Sequence, residues 1–203
     1  MLAVVTLDQR SSRGEEDLVP RWLEQLNNTF RNDLRLPFAR TVGDEVQGMV
    51  EAPDVVLELV MMGLRSEFWW IGIGLGPVET PLGITSADSR GDAFYNAREA
   101  VEQAKRSRYG FAVRGEDEER ARAAFAALTL LAFVVQRRGR ADSKGWEAVE
   151  LAARGLNAQQ IGERLGISRQ AAWERLRVAG WEEEREGRWL TTSLLSLAMA
   201  AHA

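Results

Sequence analysis

Three carboxylates stand where side chains can do chemistry. Asp8 closes the apolar, β-branched run MLAVVTL, and Asp44 and Glu45 follow Gly43 in TVGDEVQG, between two stretches that read as strands. Paired carboxylates are hard oxygen ligands that suit a divalent cation such as Mg²⁺. The same residues also suit plain strand ends and the polar tip of a β-hairpin, and both readings stand at this level. Other chemistries are thin. The chain has no cysteine, and its one histidine, His202, is the next-to-last residue. Disulfides, thiolate or zinc sites and histidine-based triads are therefore disfavoured, which leaves carboxylates, hydroxyls, Arg and Lys.

The elements that must position these residues follow from the apolar pattern. After the first strand, DQRSSRGEED reads as a loop entering a helix that runs to about Phe30, with Leu18, Trp22, Leu26 and Phe30 on one face. Strands are expected near 35–42 and 46–51 around the GDE turn, then a helix from Pro53 to about Arg65. FWWIGIGLG (68–76) is a further strand, whose glycines at 72, 74 and 76 are read as accommodating a packed helix. A helix from Gly91 to Arg106 turns Ala93, Ala97, Ala100 and Ala104 inward, and YGFAV is a last short strand. This order predicts an α+β fold, a ferredoxin-like sandwich with an antiparallel hairpin at the sheet centre. Such a topology sets the end of the first strand beside the hairpin tip, with Asp8 and Asp44 in reach of one divalent cation.

The second half reads differently. From Glu116 to about Arg138 the pattern is one long helix, acidic at its start, basic at its end and apolar nearly all round in its second half. The expected division is 1–115, an α+β domain; 116–140, a linker or dimerisation helix; and 141–203, a helix-turn-helix domain. In LNAQQIGERLGISRQAAWERLRVAGW, Ile161, Leu165, Ile167, Ala172 and Leu176 fall where two short crossing helices need apolar knobs. Gly162 is small at the crossing, Gly166 makes the turn and Ser168 caps the second helix. Arg169, Gln170, Trp173 and Arg177 then point away from the core, with side chains suited to the major groove, and Ser168 stands at the same edge. WEEEREGRWLTT is read as a wing of two short strands around Glu186-Gly187, with a terminal helix from about Ser193. Two-helix readers act as dimers on paired half-sites, so a homodimer on double-stranded DNA is expected, through the helix 117–136 and the tail TTSLLSLAMAA.

Composition bounds these readings. The chain has 203 residues, 45% hydrophobic and 28% charged, which is enough for one large or two small globular domains and too apolar for disorder. Its net charge of −4 and pI near 5.3 argue against nonspecific coating of nucleic acid. Local charge differs: between residues 154 and 177 five arginines face two glutamates. The N-terminal run lacks a basic leader, and no apolar run reaches membrane-span length, so a cytoplasmic protein is expected.

DQRSSR after an apolar strand, VGDEVQGMV on a hairpin, IGIGLGPVET on a strand and SRGDAFYNAREAV on a helix together resemble the SatD family. More remotely they resemble class III nucleotide cyclases and GGDEF diguanylate cyclases, whose palm-type sandwich the likeness implies over about residues 2–113. The tail separately resembles winged helix-turn-helix regulators. In the cyclase families, carboxylates at the end of the first strand and on the hairpin hold the cations that bind a nucleoside triphosphate. The resemblance gives that role to Asp8 and Asp44, with Glu45 as neighbour or alternative ligand. It also gives phosphate contacts to Ser12 and Arg13 at a helix N-terminus and to Arg98. The pattern departs from the cyclases in two ways. Asn96 and Arg98 are two residues apart where those enzymes carry Asn and Arg four apart, and the hairpin reads VGDEV, not GGDEF. The expectation is thus a transcriptional regulator with a degenerate cyclase-like sensor or dimerisation domain, possible ligands being a nucleotide and Mg²⁺. The alternative is an active Mg²⁺-dependent cyclase or nucleotidyltransferase localised by its tail.

Overall fold

The computed structural model describes residues 2–10, 16–66, 68–139 and 143–200. The chain is mixed α and β. By packing it divides into two compact units, Met1–Leu128 with Thr191–Ala203, and Thr129–Leu190.

The first unit is built on a five-stranded sheet of order β2-β3-β1-β4-β5. Its strands are β1 (Leu2–Gln9), β2 (Leu34–Arg40), β3 (Glu45–Val50), β4 (Trp69–Gly76) and β5 (Phe111–Gly115). The hairpin is not at the sheet centre as expected: β2 is an edge strand, the central β1 lies between β3 and β4, antiparallel to both, and β5 forms the other edge, parallel to β4. The apolar runs that flagged these strands are the central ones: Ala3, Val4, Val5 and Leu7 are fully buried, as expected for a strand covered on both faces. Helix α1 (Val19–Thr29) connects β1 to β2, and α2 (Pro53–Ser66) connects β3 to β4. Trp22 of α1 stacks on the buried Trp69 with ring centroids 5.4 Å apart.

Helix α3 (Asp92–Ala104) covers the opposite face of β4. Residues alternate across a strand, so Gly72 and Gly74 present their empty side to α3 while Ile71 meets Gly63 of α2. A Cβ on Gly74 would lie 2.1 Å from the Ala93 carbonyl oxygen, and one on Gly72 would lie 2.3 Å from the Val101 nitrogen. The glycines and the buried alanines 93, 97, 100 and 104 therefore form one device, a helix lying backbone-close on a strand. Asn96 secures it by donating to the Leu75 carbonyl at 2.8 Å. That bond gives Asn96 a structural task. The unit is completed by the first part of α4 (Glu118–Gln136), where Phe125 meets Phe111 edge-on at 5.7 Å, and by the end of α8 (Trp181–Met199).

The second unit is helical. It contains α5 (Lys144–Ala153), α6 (Ala158–Leu165) and α7 (Arg169–Val178), with the adjoining parts of α4 and α8. Asn157 caps α6 in a full capping box with Gln160. Gly166 ends α6 at φ 65° in the left-handed region, and the Ser168 hydroxyl accepts from the Ala171 nitrogen to start α7. Gly162 lets the turn approach, since a Cβ there would sit 2.7 Å from the Ile167 carbonyl oxygen. Ala148, Ile161 and Ala172 are the buried centre of this small core.

The expected wing is corrected by the structure. Residues 181–199 are one continuous helix, and no strand is present there. Glu182, Glu183 and Glu184 occupy its first turn, where carboxylates complement the helix dipole. Arg185 pairs with Glu182 and Arg188 with Glu184 at helical spacings. Glu184 is also buried against Arg138, whose guanidinium donates to the Ala179 carbonyl and lies 4.8 Å over the Trp146 ring. Gly187 sits inside the helix, where its missing side chain makes room for Leu131.

Candidate functional site

The topology does bring the predicted carboxylates to one end of the sheet. β1 and β3 run antiparallel, and their register sets Asp8 opposite Glu45. Asp44 precedes Glu45 in the turn, close enough for its charge to act on Asp8. The arrangement is nevertheless not that of a cation cage. Lys105, just past the end of α3, places its ammonium 3.0 Å from Asp8 Oδ2 and 2.7 Å from Glu102. Glu45 instead accepts from the Thr41 hydroxyl at 2.5 Å. Among the described residues no group of three or more His, Cys, Asp or Glu side chains is placed to hold a metal ion. Donors and charge thus do not fit the Mg²⁺ that the resemblance implies, because a cation of the chain already neutralises Asp8.

Electrostatics agree with that geometry. Burial pushes the Asp8 carboxyl above its ordinary value, the hydrogen bond and charge of Lys105 oppose this in part, and Asp44 and Glu102 reinforce it. Burial pulls Lys105 down, but its hydrogen bonds to Glu102 and Asp8 outweigh this, so it is held charged. Lys105 carried no signal in the sequence, since its contact with Asp8 depends on how α3 lies across the sheet.

The other predicted ligand residues separate. Ser12 and Arg13 lie outside the described residues. Arg98 does not join Asp8: it lies about two turns earlier on α3 than Lys105 and lines a cavity with Arg90, Tyr95 and Thr41.

In the second unit, Arg169, Gln170, Trp173 and Arg177 are all exposed on α7, at spacings that share one face. Ser168 is occupied as the cap at their N-terminal edge. The arginines are not equivalent. Arg177 makes a two-pronged ion pair with Glu174, at 2.9 and 2.5 Å, which raises the arginine and lowers the glutamate from their ordinary values. Arg175 reaches Glu147 at 3.6 Å. Arg169, and Arg154 and Arg164 outside α7, have side chains that make no hydrogen bond or ion pair among the described residues. Trp173 is half exposed, which a side chain needed only for this core would not be.

Comparison with known proteins identifies the family. The SatD family model matches residues 5–182, and the chain belongs to that family. The match runs through α7, so α5, α6 and α7 lie within the region the family model describes. No curated protein and no solved structure matches the chain.

Proposed function

We propose that this SatD-family chain is a DNA-binding transcriptional regulator, in which α6 and α7 form a helix-turn-helix and α7 enters the major groove. The observation that carries the reading is the outer face of α7. It presents Arg169, Gln170 and Trp173, exposed, on a helix whose start is set by Gly162 and the Ser168 cap and whose opposite face buries Ala172. Arg and Gln at the start of such a helix offer the paired donors and acceptors that distinguish base edges. Arg154 and Arg164, unpaired among the described residues, supply phosphate contacts, which give the acidic chain a local affinity it lacks as a whole. Arg177 contributes less to base reading, because Glu174 already occupies one edge of its guanidinium through Nε and Nη2.

The five-stranded unit is assigned as a sensor or dimerisation platform. Its strand order, with β1-α1-β2 and β3-α2-β4 interleaved, supports a ferredoxin-like, cyclase-related ancestry. The Asp8–Lys105 pair favours a degenerate site over an active cyclase. Exposed Leu130 and Phe133, one helical turn apart on α4, supply apolar surface for the homodimer that paired half-sites demand.

The test is operator binding. Once a specific operator has been selected from random duplexes, Arg169→Ala and Gln170→Ala are each expected to weaken it by about 1–3 kcal/mol at constant salt. Their melting temperatures should equal the wild type's. Unchanged affinity in both variants would remove α7 as the reading helix.

A further inference from the structure

The five-stranded unit has a second polar feature apart from the Asp8–Lys105 end. A cavity of about 270 Å³ opens between the β2–β3 turn, the segment before α3 and the first two turns of α3. Two arginines, Arg90 and Arg98, line it, and no carboxylate does. Both guanidiniums are exposed and make no hydrogen bond or ion pair among the described residues. Two acids on the same wall segments are held by hydroxyls: Asp88 accepts from Thr85 at 2.8 Å and Glu45 from Thr41. The cavity therefore keeps two positive charges with no carboxylate among its lining residues.

Its floor is fixed. Ser86 is buried and donates to the Gln47 carbonyl at 2.8 Å, and the Gln47 side chain donates to the buried Thr6 hydroxyl at 2.9 Å. Beside the arginines stands Tyr95, a residue 64% exposed whose ring stacks on no other aromatic among the described residues. A guanidinium offers a planar fork of donors that matches phosphate oxygens, and two of them exceed the need of a single carboxylate. An exposed aromatic face supplies stacking for a planar ring.

From this geometry we infer that the cavity binds a small phosphorylated ligand of mononucleotide size, with its phosphates on Arg90 and Arg98 and its base against Tyr95, and without a divalent cation. The inference rests on the sensor reading of this unit and specifies its ligand. It differs from a metal-dependent triphosphate site in where the positive charge comes from. Here the chain's own guanidiniums meet the phosphates, while Lys105 occupies the carboxylate end.

The experiment is isothermal titration of the full chain, in EDTA and in Mg²⁺, with pyrophosphate and with adenosine and guanosine 5′-mono-, di- and triphosphates. At least one nucleotide should bind equally well in EDTA and in Mg²⁺. Arg90→Gln and Arg98→Gln should each weaken it about tenfold or more, the loss of a charge-assisted hydrogen bond. Tyr95→Ala should weaken nucleotide but not pyrophosphate, and Asp8→Asn should change neither. The inference is overturned if no probe binds, if the double arginine variant binds like the wild type, or if binding requires Mg²⁺ and vanishes in Asp8→Asn. Operator affinity of the unliganded Arg90→Gln/Arg98→Gln variant, measured alongside, should equal the wild type's. Failure of this site is thereby distinguished from failure of DNA binding.

Discussion

Asp8 is the residue whose charge separates a metal site from an internal ion pair. Its carboxyl titrates above the ordinary 3.8 because burial disfavours the charged form more than Lys105 favours it. The native state then holds the proton more tightly than the unfolded chain. Asp8 therefore contributes stability that is full below the unfolded value and is lost as pH rises through the raised folded value. Asp8→Asn should remove that part of the pH dependence, so its urea midpoint falls less than the wild type's as pH rises from the ordinary carboxylate value toward neutrality. A Mg²⁺ site predicts the reverse: added Mg²⁺ would stabilise the wild type and not Asp8→Asn, and that result would restore the metal reading. The neighbourhood of Asp8 and Glu45 was legible in the sequence because strand order alone creates it. Lys105 was not, since a long side chain reaching from a helix end depends on tertiary register.

At the scale of elements, glycine carries opposite meanings in the two units. Gly72 and Gly74 allow α3 to lie against β4, and this was readable, because alternate glycines in an apolar strand leave one face without side chains. Gly74→Ala should destabilise the chain by about 1–3 kcal/mol or more, since its Cβ meets helix backbone that cannot rotate away. Chemical denaturation measures this, and a cost near zero would mean that α3 is not held at that distance. Gly187 misleads for a local reason. Glu186-Gly187 between apolar residues suits a hairpin tip, and a sequence pattern cannot show Leu131 filling the space above a helical glycine. Nor can it show Arg138 burying Glu184, the long-range pair that fixes the start of α8. The turn from α6 to α7 was legible throughout, because its caps and its positive-φ glycine are local chemistry.

At the scale of the whole molecule, composition places a boundary near Gly139, where the long helix ends and a charged segment begins. Packing instead divides the chain within α4 and within α8, and it returns the C-terminal residues to the sheet-bearing unit. Leu195, Ala198 and Met199 are buried, and the Leu197 carbonyl accepts from the Arg120 guanidinium at 3.2 Å. Such a return is invisible locally, because TTSLLSLAMAA is an amphipathic tail that serves equally well as a dimer surface. The two roles make different predictions. Removing residues 194–203 strips the first unit of a buried leucine and methionine, a loss of about 3–6 kcal/mol at roughly 1.5–3 kcal/mol for each side chain. Amide exchange in β5 and the first half of α4 should therefore speed up in the truncated chain at every protein concentration. If the tail served only to join two copies, exchange in the truncated chain would match that of the wild type diluted to monomer, and only the oligomeric state would change.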